Sequence, residues 1–235
     1  MEIQAVKTRR LYLQVAEQLM GFIQGGTLEP GERLPSERDL AERFGVSRPT
    51  IREAMIALEI AGLVEIRTGS GIYVVQPRAS LQESLGDEGP GPFEILETRL
   101  LIETETAALA AARISDAQLA ELETALNEME QENAGGTVTE RADRQFHCII
   151  AQASQNSALA SIVDWLWDLR DKSKLSAVFH QRVRAEGVHP SFDEHRRIFT
   201  ALQRRDPVRA REAMHRHISN AIDAVTVSLE NEKVR

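Results

Sequence analysis

One stretch narrows the fold more than any other. Between residues 36 and 75, Ser36 and Ser47 each precede a helical pattern. The turn Phe44-Gly45-Val46 joins the two patterns, and the run LVEIRTGSGIYVV (63–75) follows. A serine side chain accepts from the N–H groups that a helix start leaves unpaired, and glycine takes the left-handed conformation that ends a helix. Asp39 adds negative charge to the first turn after Ser36. Leu40, Ala41 and Phe44 in the first pattern, and Ile51, Ala54, Met55 and Leu58 in the second, fall on inward faces. The 63–75 run alternates with the period of a strand and is split by Thr68-Gly69-Ser70-Gly71, so it reads as a hairpin. Upstream, RRLYLQVAEQLMGFIQ (9–24) places Tyr12, Val15, Leu19, Phe22 and Ile23 on one stripe, and Gly25-Gly26 stops it. Helix, helix, turn, helix and hairpin make the outline of a winged helix-turn-helix over residues 1–76.

QPRASLQESLGDEGPGP (76–92) is polar and rich in Gly, Pro and Ser, and reads as a linker, placed at 77–92. Beyond it no strand pattern occurs. Helical patterns cover 93–113, 116–132, 137–154, 157–184 (with a break near 171–176), 191–204 and 207–230. Ser115 with Gln118 and Ser191 with Glu194 are capping-box pairs, and Asp206-Pro207 is an N-cap followed by proline. The fold class is therefore mostly α: the winged domain, then an all-α helical bundle over 93–235. No run approaches the roughly 18 apolar residues of a membrane span, and MEIQAVKTRR lacks a secretory core. The lone Cys148 allows no internal disulfide and fits a reducing cytoplasm.

The formal net charge is −8, yet residues 1–76 hold nine Lys/Arg against ten Asp/Glu. The negative charge thus lies mostly in the second domain, which leaves room for a local basic face in the first. Arg48 and Arg52 are one helical turn apart at the start of the second helix of the helix-turn-helix, the part that enters the major groove. The arginine fork matches guanine acceptors or a phosphate. Ser47 and Thr50 add hydroxyls, Arg38 opens the preceding helix, and Thr68 and Gly69 form a wing tip small enough to approach a minor groove. Double-stranded DNA is the expected partner, and its two-fold half-sites call for a homodimer.

In DRQFHCII, Asp143 and His147 share a helical face. His195 runs with Ile198, Phe199 and Leu202, and His217 with Ala210, Met214, Ala221 and Ala224. Three histidines and an aspartate on inner faces of three helices can meet inside a bundle and hold a divalent cation: zinc first, then nickel, manganese or iron. The plainer reading is three core histidines, each with one hydrogen bond. Arg99 also lies on an apolar stripe, with Ile95, Ile102, Thr106 and Leu109. Its partner is either Glu103, one turn on, or the carboxylate of a ligand. His180, His189 and His215 read as solvent or packing histidines.

LPSERDLAERFGVSRPTIREAMIALEIAGLVEIRTGSGIYVV resembles the DNA-binding domain of the GntR family of bacterial regulators. That resemblance places DNA contacts on Arg38, Ser47, Arg48, Thr50, Arg52, Thr68 and Gly69. TRLLIE, DRQFH, ASQNSAL, EHRRIFTALQRRDPVRA and AMHRHI resemble the FCD ligand-binding domain of the FadR subfamily. In its metal-binding members an aspartate and three histidines hold a cation, here Asp143, His147, His195 and His217. The family's effectors, mostly organic and sugar acids, favour Arg99 as a carboxylate clamp, with Asn156 as a further polar contact. LEIAGLVEIRTGSGIYVV and GPFEILETRLLIE look most like repressors of hexuronate catabolism. The resemblance thus implies a dimeric repressor, released from a palindromic operator when a hexuronate bridges Arg99 and the metal. A metal sensor without organic effector, a domain that only dimerises, and a metal-dependent enzyme are the rival readings. The enzyme is the least favoured, because no general base stands beside the motif.

Overall fold

The computed structural model describes residues 9–67, 70–76, 89–134, 140–185 and 191–230. The chain divides into two compact units that part between Phe93 and Glu94. The first contains α1 (Leu11–Gln24), α2 (Glu37–Phe44), α3 (Arg48–Ile60), β1 (Val64–Arg67) and β2 (Gly71–Val74). The Ser36 side chain accepts from Asp39 N, Ser47 accepts from Thr50 N, and Gly45 closes α2 in the left-handed conformation at φ 65°. Gly45 ends α2 two residues before Ser47 starts α3, which is what makes the tight turn between them possible. Val64 pairs with Val74 and Arg67 with Gly71 in an antiparallel register, and Arg33 adds a bridge to Tyr73. Tyr12, Leu19, Leu40, Ile51, Met55, Leu58 and Val74 are buried. Phe22, expected inward on the α1 stripe, is 45% exposed. Leu13 and Ala16 are buried instead, so the inner face lies rotated from the one the pattern marked.

The other helices are α4 (Pro92–Arg113), α5 (Asp116–Ala134), α6 (Arg141–Ala153), α7 (Ser157–Lys172), α8 (Lys174–Ala185), α9 (Phe192–Gln203) and α10 (Pro207–Glu230), and the second unit takes them from Glu94 to Thr226, the ends of α4 before Glu94 and of α10 from Val227 belonging to the first. The break expected near 171–176 falls at Ser173. Of the expected linker, residues 77–88 lie outside the described residues, and Pro92 already belongs to α4. The main core joins Leu96, Ala107 and Ala111 of α4 to Leu122 and Met129 of α5, Phe146 and Ile150 of α6, Ile198 and Leu202 of α9, and Met214 and Ile218 of α10. Ser115 and Gln118 form their reciprocal box, and Asp206 caps Val208 and Arg209. The Ser191–Glu194 box does not form. The Ser191 side chain makes no cap bond, and Glu194 turns its carboxylate toward α10. No described helix is long and apolar enough to cross a membrane.

Candidate functional site

α4 is a central helix whose buried face carries polar side chains: Arg99, Glu103, Thr104 and Thr106 are all buried. Burying such groups is costly unless they are paired. Arg99 Nε donates to Glu103 Oε1 at 2.6 Å, and its guanidinium lies 4.1 Å from the Trp167 ring centroid. The other Glu103 oxygen takes Nδ1 of His147. Burial pushes the Glu103 carboxyl up, but Arg99 and His147 outweigh it and hold the group at about 2. Of the two partners open to Arg99, the structure thus supplies Glu103.

Asp143, His147, His195 and His217 are all buried, and one ligand atom from each lies within 4.8 Å of the others. Every imidazole is held from behind through Nδ1. His147 is held by Glu103, His195 by the Ser191 carbonyl at 2.8 Å, and His217 by Glu194 Oε2 at 3.0 Å. All three partners are acceptors, so each Nδ1 donates and leaves Nε2 as the ring's other polar atom. His195 Nε2 lies 2.8 Å and His147 Nε2 3.5 Å from Asp143 Oδ1. The 2.8 Å contact is a hydrogen bond when His195 Nε2 carries a proton, and the same two atoms can share a cation when it does not. His147 Nε2 is buried with no hydrogen-bond partner among the described residues. Burial and the neighbouring His195 pull His217 down to about 4, which keeps it neutral. Acceptors behind each imidazole orient it toward a metal and raise its basicity. This donor set fits a divalent cation better than it fits three core histidines.

A cavity of about 210 Å³ adjoins these residues, lined by Asp143, His217 and Glu194 on one side and by Arg99, Arg170 and Arg184 on another. Glu140, one residue before α6, pairs with Arg170 and accepts from Arg184 Nε at 2.7 Å. Burial, with the charges of Arg99 and Arg184, lowers Arg170 to about 9. Its guanidinium lies 4.9 Å from the Trp167 centroid, so Trp167 touches two arginines. His180, expected to be a packing or solvent histidine, lines the cavity, and burial with the three arginine charges holds its pKa well below the ordinary value. His215 is exposed, and His189 lies outside the described residues.

Asn156, expected to contact an effector, is elsewhere. It is the exposed N-cap of α7, where its side chain accepts from Ala158 N and Leu159 N. A residue so placed is spent on the orphan donors of its own helix. Glu140, Arg170, Arg184 and His180 are the cavity residues that sequence reasoning missed. Their only signal was charge on the inner faces of α7 and α8, where the helix break blurred the stripe.

In the first unit, Arg38, Ser47 and Arg48 are exposed and Thr50 is half-buried on the α2–α3 surface. Ser47 and Thr50 hydroxyls bond each other at 2.9 Å. Arg52 is not the second prong of an exposed fork. It is 6% exposed, its Nε donates to Glu37 at 2.8 Å, and its guanidinium lies 5.4 Å from the Phe93 centroid. Arg48 approaches the same Glu37 at 3.7 Å but stays half in solvent. Thr68 and Gly69 lie outside the described residues. Arg67, stacked on Tyr73 and exposed, is a basic wing residue that sequence reasoning left aside.

A winged helix-turn-helix followed in the chain by an all-helical unit defines a class of transcription regulator. The chain belongs to the GntR family of bacterial regulatory proteins, which it matches over residues 11–74, and carries an FCD domain over residues 94–220. It is 38% identical to the Exu regulon transcriptional regulator of Escherichia coli K12, over 93% of this chain and 85% of that one. It is 34% identical to the Uxu operon regulator of Haemophilus influenzae, over 90% and 80% of the two chains. To the Uxu operon transcriptional regulator of Escherichia coli K12 it is also 34% identical, over 92% and 87%. All three relatives are named as regulators rather than enzymes.

Proposed function

We propose that this regulator is a homodimeric repressor that senses a hexuronate or a related sugar acid. Asp143, His147, His195 and His217 hold a divalent cation, with zinc first among zinc, nickel, manganese and iron. The cation supplies an open coordination position for oxygens of the acid. The acid occupies the 210 Å³ cavity, a volume below that of drug-sized pockets and suited to a small polar ligand. Neutral His180 faces its hydroxyls. Arg38, Ser47, Arg48 and Thr50, with Thr68 and Gly69 of the wing, contact a palindromic operator, and Arg52 holds Glu37 behind them. Arg99 lines the cavity with its charge matched by Glu103. The ligand works by binding one arrangement of the dimer better than the other.

The observation that carries this reading is the convergence of Asp143 with three imidazoles each held through Nδ1, the buried His147 Nε2 lacking a hydrogen-bond partner among the described residues, beside an arginine-lined cavity. The names of the Uxu and Exu relatives supply the ligand class. The test is thermal unfolding with glucuronate, galacturonate and fructuronate, each with and without a chelator. Stabilisation by one acid, abolished by the chelator, is expected. A shift with metal alone and none with any acid replaces this reading with a metal sensor.

A further inference from the structure

Glu140 stands out among the charged groups of the second unit. Its carboxylate is held by Arg170 and Arg184, and the three side chains are only 12%, 8% and 7% exposed. The group does not cap α6, since no side-chain cap bond forms there. It lies at the boundary of two spaces: the inner 210 Å³ cavity beside the histidines, and an outer groove of about 510 Å³ between α6, α7 and α8. Glu140, Arg170, His180 and Arg184 line both. Arg170 is also incompletely satisfied, because its buried Nε has no hydrogen-bond partner among the described residues.

We propose that Glu140 is a built-in stand-in for the effector's carboxylate, occupying the Arg170–Arg184 pair until an acid displaces it. This rests on the reading that the cavity takes a carboxylic acid. Three arginines face the cavity, and Glu103 already matches Arg99 at 2.6 Å. Among the arginines, a second anion can therefore be received only by Arg170 and Arg184. With Glu140 in place, an incoming acid meets a matched triad and like charge. Exchanging one carboxylate for the other keeps the buried charge balanced, which avoids the cost of stranding a charge in the interior. The released Glu140 regains water. The ligand gains where Glu140 does not, because its carboxylate or a neighbouring hydroxyl can reach the unpartnered Arg170 Nε.

The exchange also carries information. Glu140 stands three residues before Asp143 and seven before His147, immediately ahead of the helix that supplies two of the four proposed metal ligands. Displacing it frees the start of α6 from α7 and α8. The acid is thereby read twice, once at the metal and once at the end of the helix that holds it.

The experiment is calorimetric titration of glucuronate, galacturonate and fructuronate into the zinc-loaded full-length chain and into Glu140→Gln, Glu140→Asp and Arg170→Lys. Galactose serves as the carboxylate-free control, and circular dichroism and metal content check folding. With the stand-in neutralised, the affinity of Glu140→Gln for the bound hexuronate is expected to rise at least tenfold. Glu140→Asp, whose carboxylate is withdrawn by one methylene, lies between. Arg170→Lys keeps a charge for Glu140 but loses the fork, and its binding falls by a similar factor. Galactose binds none of the four. If Glu140→Gln does not fold, Glu140→Asp must still bind more tightly than the parent. A hexuronate bound by the parent, with equal or weaker binding by the folded glutamate variants, overturns this inference and leaves the proposed function standing. No hexuronate bound by any form overturns both.

Discussion

Two places in this chain use the same device, two arginines closed on one glutamate, under opposite conditions. On the helix-turn-helix, Glu37 takes Arg52 at 2.8 Å and Arg48 at 3.7 Å, and the side-chain exposures are 16%, 7% and 51%. At the cavity wall, Glu140 takes Arg170 and Arg184, and all three groups are nearly closed to solvent. The surface pair can let one arginine go at little cost, because water and salt already screen it. The interior pair can exchange partners only for another anion of matching shape. The first arrangement suits a reader that slides along many phosphates. The second suits a receptor that must answer to one kind of molecule.

The comparison is broken most sharply by stability measurements. Arg170→Ala takes one of two arginines from the buried Glu140, leaving Arg184, and is expected to cost about 3 kcal/mol in denaturant unfolding. Arg52→Ala should cost about 2 kcal/mol, less than a fully buried pair because Glu37 still touches water. Arg48→Ala should stay within about 0.5 kcal/mol of the parent. Equal losses for Arg170→Ala and Arg48→Ala would erase the distinction. Operator binding reverses the order in the first unit. Arg48→Ala should weaken binding to a palindromic site by about 1–3 kcal/mol in a fluorescence titration. Arg52→Ala should act through lowered stability, with affinity recovered where the variant is fully folded.

At the histidines, Glu103→Gln tests whether the acceptor behind His147 matters. Cation affinity, measured by competition with a coloured chelator, should fall about 10–100-fold. An unchanged affinity would show Glu103 to be only the partner of Arg99. The smallest effect concerns His180, whose pKa burial and the arginine charges hold well below 6.5. Folding favours its neutral form, so its contribution is complete above that value. It is lost as pH falls, because the unfolded chain takes up the proton first. Between about pH 7 and pH 5, the parent should lose stability relative to His180→Gln by at most about 1.4 kcal/mol per pH unit. Parallel pH profiles would remove His180 from the charged wall.

What could be read from the residues was what is local. Ser36, Ser47, Gly45, the Ser115–Gln118 pair and Asp206 end helices through groups a few positions away, and the spacing alone carries that information. The inward direction of Asp143, His147, His195 and His217 followed from apolar neighbours one turn off. Ser191–Glu194 had the spacing of a box, yet the Glu194 carboxylate that would complete it is taken by His217 and Asn220. Asn156 had the residue type of a ligand contact and the position of a cap. Arg48 and Arg52 share a face by spacing, and only the packing of Glu37 and Phe93 distinguishes the exposed one from the buried one. Glu140 and Arg184 are 44 positions apart, beyond any helical period. Their meeting is a property of how α6 and α8 come together.

Trp167 lies 1% exposed with a guanidinium near its ring on two counts and the His147 ring 5.4 Å away, whereas Trp165 is 57% exposed. Indole emission responds to solvent and to nearby charge. The two tryptophans therefore form a matched optical pair, one bathed in water and one wired to the arginine that an acid would engage. With Trp165 replaced by phenylalanine, the remaining indole emission would come from Trp167 alone, beside Arg99 and Arg170. The chain would then report arrivals at Arg170 in real time, without a dye.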